Sequence, residues 1–327
     1  MVERKRCLIV GLGQIGAGYD IDAGQNGGIY THARAITLHP AFDLVGGVDP
    51  VETQRARFEA KYNVKAYDAV AEAMHELCPD VVVIATPAEF HLQNVDEVLE
   101  AGPPAVILCE KPLALSEADG EMLVRRCEQA GVRLFVNFIR RSDPGAIEIH
   151  RRIQLGEIAA PLKASFWYSK GLYNNGSHFI NLLQYWLGEV RDHMVLDHGR
   201  RWANSDPEPD VRLRFDLGTV VLQAAREESF SFYGGEILSA SGRLSYRNGG
   251  RNIGWQGVRL DENFIGYRFL SPEVQSIDND MDRYQWHVYE QLGQFLAGAP
   301  FQLCSGDEAL ATLRVVAAIA GRYGSEL

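Results

Sequence analysis

The sequence predicts an α/β protein of two domains. A doubly wound parallel sheet comes first, then an α+β domain on a large, mostly antiparallel open sheet. Three observations carry this. A chain of 327 residues corresponds to about two domains. Over the first 140 residues or so, short continuous apolar runs alternate with helical patterns, as expected of strands buried on both faces. From about residue 160 the runs lengthen, alternate apolar with polar, and are punctuated by turn residues. The linker at Asn137–Pro144 is the natural boundary, giving domains 1–140 and 141–327.

In chain order, the first strands are expected at Cys7–Val10, Asp43–Val48, Val81–Ala85, Val106–Cys109 and Leu134–Val136, with a weaker one near Val64–Tyr67. Ser116 with Asp119 forms a capping-type helix start, and Gly131 a stop. The second set of strands is expected at Leu162–Tyr168, Val211–Phe215, Thr219–Ala224, Glu236–Ala240, Arg243–Arg247 and Gly257–Leu260, with Asn248-Gly249-Gly250 as a turn. Helices over about Asp282–Ala297 and Gly306–Arg322 close the chain.

Composition narrows the function. The 46% hydrophobic content is that of a globular protein with two cores. With 32 basic against 43 acidic residues, the net charge of −11 argues against a nucleic-acid or anionic-membrane partner. The five cysteines include no CxxC pair, so neither a disulfide framework nor a zinc site is expected; Cys7 and Cys109 read as small core residues and the compartment as cytoplasmic. Asp192-His193 and Asp197-His198 lack metal-ligand spacing and read as a polar strand or loop, so no metal is expected.

Gly11-Leu12-Gly13-Gln14-Ile15-Gly16 follows the first apolar run directly. In a strand-turn-helix context such glycines make the turn, admit a pyrophosphate to the backbone, and pack helix on strand, while the helix start attracts phosphates. This is the dinucleotide-binding pattern of a Rossmann domain. An acid closing the second strand should then bond the adenosine ribose, and Asp49 stands there. Its distance from Gly16 exceeds the roughly 20 residues of the fingerprint; the excess lies in 17–30, which reads as an inserted loop. An acid repels a 2′-phosphate, so NAD is favoured over NADP, with Arg55 and Arg57 keeping NADP open. Glu110-Lys111-Pro112 follows the fourth run, where charged residues enter the crevice at the carboxyl edge of the sheet. A lysine there can stabilise charge developing on a substrate oxygen, or merely form a surface ion pair.

Taken together, Gly11–Gly16, Ala85-Thr86-Pro87 with His91, Glu110-Lys111-Pro112-Leu113-Ala114, and Leu172-Tyr173-Asn174-Asn175-Gly176-Ser177-His178 through Leu183 resemble the glucose-fructose oxidoreductase/inositol dehydrogenase (Gfo/Idh/MocA) family of NAD(P)-dependent oxidoreductases. The likeness extends to Leu155-Gly156-Glu157-Ile158 and the closing helix. It implies that Lys111 is the catalytic lysine, that Glu110 and Pro112 shape the nicotinamide-side turn, and that Thr86, Pro87 and His91 line the dinucleotide. It also implies that His178 is the general acid/base. The family usually has aspartates where this chain has Asn174 and Asn181, and a neutral amide favours a protonated imidazole less than an anion does.

The resulting expectation is an oxidoreductase moving a hydride between NAD(P) and a hydroxyl or keto carbon of a sugar, nucleotide sugar or cyclitol. Lys111 and His178, from separate domains, would converge on the nicotinamide. Asn137, Arg140, Arg141, Tyr173, Asn174 and Asn175 are candidates for substrate contact, Asn137 and the arginines standing equally well as a linker turn and surface charge. Tyr168 and Lys170 are weaker pocket candidates, and Tyr284, Trp286 and Tyr289 read as packing residues. Family likeness implies a homodimer or homotetramer. Two rival readings remain: an NAD-dependent glycosidase or epimerase that recycles its cofactor, and a catalytically silent dinucleotide-binding protein.

Overall fold

The computed structural model describes residues 4–22, 27–203 and 205–321. The first unit comprises residues up to 142 together with 282–313. Its elements begin with β1 (Lys5–Val10), α1 (His32–Leu38), β2 (Phe42–Val48), α2 (Glu52–Tyr62), β3 (Ala66–Tyr67) and α3 (Val70–Leu77). They continue with β4 (Val81–Ile84), α4 (His91–Ala101), β5 (Val106–Cys109), α5 (Glu117–Gln129) and β6 (Arg133–Val136).

These six strands are parallel, in the order β3-β2-β1-β4-β5-β6. The order reverses between β1 and β4, which opens a crevice at the carboxyl edge where ligands of such sheets bind. Continuous apolar runs have the burial they require: Cys7–Ile9, Val81–Ile84 and Val106–Cys109 are fully buried. Ser116 caps α5 by accepting the Asp119 amide, and Gly131 follows its end at φ +69°.

The second unit, Asp143–Met281 with residues from 314 onward, holds α6 (Pro144–Gln154), β7 (Leu162–Tyr168), α7 (Ser177–Leu187), β8 (Val190–Trp202), β9 (Asp206–Phe215) and β10 (Gly218–Ala224). It continues with β11 (Gly234–Ser239), β12 (Gly242–Arg247), β13 (Asn252–Leu260), β14 (Arg268–Leu270) and β15 (Gln275–Ser276). The sheet runs β14-β13-β12-β11-β7-β10-β9-β8, with β15 beside β13. Only β7 and β10 pair in parallel among these described strands. One face buries Phe166, Leu213, Leu222 and Ile237 against Ile149 of α6 and Phe179, Leu183 and Trp186 of α7. The other face carries the polar half of each alternating strand.

One expectation needs correction. The chain does not cross once into a second domain and stay there. It returns to the first unit with α8 (Tyr284–Leu296), β16 (Cys304–Ser305) and the start of α9 (Gly306–Gly321). Aromatic packing explains the return: Tyr289 meets Phe42 edge-on, Phe295 and Phe301 flank Phe135, and β16 adds an antiparallel edge to β6.

The glycines are followed by an interrupted helix. One helical turn forms, closed by Ala17 N–H on Gly13 O, and α1 begins only at His32. The amides of His32 and Ala33 then donate to the carbonyls of Ile15 and Gly16, so α1 stacks as a continuation of that turn. The inserted segment is thus spliced into a helix, and its residues 23–26 lie outside the described ones.

Candidate functional site

Every strand of the first unit that borders the crevice ends in a residue singled out by sequence. Gly11 follows β1 at φ +97°, and a Cβ there would come within 2.7 Å of the Ala85 carbonyl carbon. A Cβ on Gly16 would lie 2.1 Å from Gly11 O. Both positions therefore exclude a side chain for internal reasons. Gly13 differs, since nothing lies within 4 Å of its virtual Cβ. Its open side faces a cavity of about 630 Å³ that Gly11, Gly13, Asp49, Pro50, Thr86 and Pro87 help to line. Gln14 is exposed and Ile15 half-buried, on the turn beside it.

Asp49, at the end of β2, is 8% exposed. Its Oδ2 accepts the Leu12 amide and its Oδ1 the Val51 amide, each at 2.9 Å. Two backbone donors hold the carboxylate on the cavity wall, with further lone pairs available to a diol. Arg55 is turned to the Asp49 carbonyl at 2.7 Å. Thr86 Oγ1 donates to Asn94 Oδ1 at 2.8 Å. A dinucleotide fits this arrangement: an open glycine where a pyrophosphate must approach the backbone, and a fixed acid where a ribose must be held. The donor set of the described residues includes no group of three or more metal-type ligands, and no described helix is long and apolar enough to cross a membrane.

The expectation that His91 lines the dinucleotide is corrected. It is 1% exposed, and its ring nitrogens lie 2.9 Å from Thr86 O and 3.2 Å from Leu113 O. The imidazole ties the turn after β4 to the turn after β5 and so shapes the wall from behind.

Behind that second turn lies a polar cluster. Glu110 is 8% exposed; its Oε1 accepts Asn137 Nδ2 at 2.6 Å and lies 2.9 Å from His32 Nε2. Lys111 N–H reaches Glu110 Oε2 at 3.3 Å, and the Lys111 side chain is half-buried. Burial alone would raise the Glu110 carboxyl. Hydrogen bonds from His32 and Asn137, with the nearby Lys111 charge, outweigh it and hold the group below the ordinary glutamate value. Asn137 is 2% exposed and also donates to Gln285 Oε1 at 3.2 Å. Its amide nitrogen is thus committed inside the protein, which corrects the expectation that this group meets substrate hydroxyls, while its buried Oδ1 has no hydrogen-bond partner among the described residues. Arg141 is likewise committed, to Glu308 at 2.6 Å, whereas Arg140 is half-buried on the turn Ile139–Ser142.

In the second unit, His178 stands in the first turn of α7, 7% exposed, with Asn181 one turn on at 1%. The preceding residues Leu172–Gly176 form a π-helical turn in which Gly176 N–H donates to Gly171 O. Such turns are rare and frequent at functional sites. Asp206 caps it, accepting the amides of Tyr173 and Asn174 at 2.9 Å each. Burial raises the Asp206 carboxyl against the pull of those amides. Fully buried Glu208 accepts the amides of Lys170 and Gly171. The side-chain amide of Asn174 donates to Lys170 O, and that of Asn175 to Ser169 O and Tyr233 OH. Tyr173 is half-buried, and burial pushes its phenol up. Tyr168 is core, its hydroxyl donating to Pro209 O at 2.8 Å.

Sequence reasoning missed His32, Gln285, Asp206 and Glu208. The Thr31 N-cap before His32 and Gly171 before the π-turn were the available local signals; the carboxylates announce themselves only through long-range contacts.

Comparison with known proteins gives the setting. A family model described as oxidoreductase family, NAD-binding Rossmann fold (GFO_IDH_MocA) matches residues 5–138. The chain is 29% identical over 164 residues to scyllo-inositol 2-dehydrogenase (NAD(+)) of Bacillus subtilis strain 168, a match covering 50% of this chain and 44% of that protein. Such matches span about half the length of the curated relatives.

Among solved structures, an NAD binding oxidoreductase from Klebsiella pneumoniae superposes with TM-score 0.80 at 19% identity, covering 99% of this chain and 98% of that one. The WlbA dehydrogenase from Bordetella pertussis, in complex with NADH and UDP-GlcNAcA, gives 0.76 at 19%, covering 98% and 96%. At those identities the likeness shows the fold. Residues 5–138 thus match the NAD-binding Rossmann domain of the Gfo/Idh/MocA oxidoreductase family.

Proposed function

We propose that the chain is an NAD-dependent dehydrogenase that oxidises a secondary alcohol of a cyclitol, sugar or nucleotide sugar. The observation that carries this is the cavity whose floor is the side-chain-free space over Gly13 and whose wall is the doubly anchored Asp49. Gly11, Gly13 and the following turn would take the pyrophosphate, and Asp49 the adenosine ribose hydroxyls. A 2′-phosphate would meet the Asp49 carboxylate, which is why NAD is preferred to NADP. Bound NAD supplies the two-electron acceptor.

Lys111 is assigned to the substrate oxygen, where its ammonium stabilises the charge that develops as the alcohol becomes a ketone. His178 is assigned as the base that takes the hydroxyl proton, a contribution of about 10²–10⁴ in rate. Arg140, Tyr173, Asn174 and Asn175 are assigned to the substrate side. The substrate class is supported by the named activity of the Bacillus subtilis relative and by the sugar nucleotide held by the Bordetella pertussis dehydrogenase.

A panel of inositols, hexoses and UDP-sugars incubated with stoichiometric NAD, followed at the absorbance of the reduced cofactor, tests the reading. NADH accumulating in step with ketone supports it. Product formed with no net NADH identifies an internally recycling epimerase or glycosidase instead. NAD binding with no turnover on any compound identifies the silent binder that Asn174 and Asn181 bring into view.

We also propose self-association through the open face of the second unit's sheet, where Trp167, Met194 and Leu238 are 38–50% exposed. A monomer mass in light scattering at micromolar concentration would overturn this.

A further inference from the structure

The described ends of the inserted segment are tied to the fold. Asp20, 1% exposed, gathers its far end: Oδ2 accepts the Tyr30 and Thr31 amides and the Thr31 hydroxyl, at 2.7–2.9 Å. The start of α8 clasps the same end, with Ile29 N–H on Asp282 O, Gln285 N–H on Ile29 O, and Tyr284 OH on Tyr30 O. The residue so delivered is His32, fully buried, with Nε2 at 2.9 Å from Glu110 Oε1.

The direction of the cluster follows from its donors. Asn137 Nδ2 donates to both Glu110 Oε1 and Gln285 Oε1, so the Gln285 amide turns its nitrogen away from Asn137. That nitrogen lies 2.8 Å from His32 Nδ1 and 2.9 Å from Nε2, close to both ring nitrogens. Tyr289 OH lies 2.9 Å from Nδ1 and has both a hydrogen to give and lone pairs to accept with. An ionised carboxylate oxygen can only accept, so the hydrogen on His32 Nε2 points at Glu110. Two directed donors thus converge on one oxygen of Glu110, while its other oxygen faces the Lys111 amide.

We propose that His32 is a positioning residue for Lys111: brought in by the insertion and braced by α8, it fixes the Glu110 carboxylate and with it the turn from which Lys111 acts. The claim rests on the assignment of Lys111 to the substrate oxygen. It also gives the return of the chain to the first unit a purpose, since Gln285 and Tyr289 of α8 hold the His32 ring.

Ionised Glu110 is the state the cluster serves. The titratable groups facing it are His32, Lys111, Tyr284, Tyr289 and Cys109. Burial pushes the two phenols and the thiol up, so those three stay neutral across the working range. Without His32 two of the influences that lower Glu110 are gone, so its carboxyl shifts upward in the direction burial favours and its grip on the turn weakens as it protonates.

The test uses the full chain with NAD and a substrate found active. The variants are His32→Leu, His32→Gln, Glu110→Gln and Lys111→Ala. His32→Leu is expected to lower kcat roughly 10²-fold at neutral pH, the scale of a misplaced catalytic group. Its NAD Kd, by calorimetry, should stay within about threefold, and the acid limb of kcat should rise by about one pH unit or more. His32→Gln retains a donor and should recover most of kcat. If His32→Leu does not fold, Glu110→Gln should show the same loss of kcat with NAD binding intact. Wild-type kcat and an unmoved acid limb in His32→Leu, or wild-type kcat in Glu110→Gln, overturns the positioning role. Turnover surviving in Lys111→Ala overturns instead the underlying assignment of the lysine, and so separates the two failures.

Discussion

Replacing Gly13 and Gly16 in turn by alanine separates binding from folding within one short motif. At Gly16 the added carbon would sit 2.1 Å from Gly11 O, 3.1 Å from Gly11 C and 3.3 Å from Leu12 Cα, all backbone. No rotamer relieves such a clash, so the turn after β1 must shift. Overpacking of this kind costs about 3 kcal/mol or more, which for a unit of this size lowers Tm by roughly 6–12 °C. At Gly13 the same carbon meets nothing within 4 Å, so stability should change by no more than about 0.5 kcal/mol. It does enter the space reserved for the pyrophosphate, and a loss of at least about tenfold in NAD affinity, roughly 1.4 kcal/mol, follows. Differential scanning calorimetry and titration calorimetry with NAD read the two effects separately. Gly13→Ala binding NAD as the wild type does, or melting as low as Gly16→Ala, would refute the assignment of this turn.

Three further outcomes follow from the same structure. Asp49→Asn should narrow the preference for NAD over NADP by about tenfold or more, read as the ratio of the two Kd values, because a neutral amide no longer repels the 2′-phosphate; an unchanged ratio would place the discrimination elsewhere. Glu148 is bridged to Arg151 and Arg152, which lower its carboxyl to about 2 despite some opposing burial. A depressed carboxyl stabilises the fold above the unfolded-state value near 4.3 and loses that contribution as pH falls toward about 2. Because its side chain is 32% exposed, Glu148→Gln should cost only ~0.5–1 kcal/mol at neutral pH. The difference in Tm from the wild type should vanish near pH 2, and a difference constant with pH would show that the ion pairs are not its source. Tyr168→Phe removes a buried hydrogen bond to Pro209 O and should cost about 1–3 kcal/mol by denaturant unfolding with no change in NAD Kd.

The parts of the fold legible in sequence are those where one local pattern decides. Val81–Ile84 and Val106–Cys109 are continuous apolar runs and became fully buried parallel strands. Leu162–Tyr168 alternates strictly and became the strand of that extent, buried on one face. Ser116 and Gly131 bounded α5 as their capping chemistry requires.

Where several chain segments decide jointly, the pattern was silent. Val190–Trp202 is a long edge strand, polar and exposed along much of both faces, so neither periodicity marks it. A glycine fingerprint says where a turn begins and nothing about where a helix resumes after an insertion; α1 restarting at His32 depends on carbonyls of Ile15 and Gly16. His32, Glu110, Asn137, Gln285 and Tyr289 lie far apart in sequence, and only the folded sheet brings them together. The same reason explains Asn137 and His91. Each was singled out by position beside the crevice, yet the His91 ring nitrogens and the Asn137 amide nitrogen are spent on the protein's own backbone or side chains.

The central assignment is of this chain as a dehydrogenase that takes its reducing equivalent from a carbinol carbon. It is tested most directly with an inositol or UDP-sugar active in the substrate panel and deuterated at the oxidised carbon. Mass spectrometry of the nicotinamide recovered after turnover by the wild type should show one deuterium in the reduced cofactor, and none in parallel reactions of Lys111→Ala and His178→Ala that still bind NAD. Turnover that leaves the label in the sugar product, or reduced cofactor without label, would contradict the account.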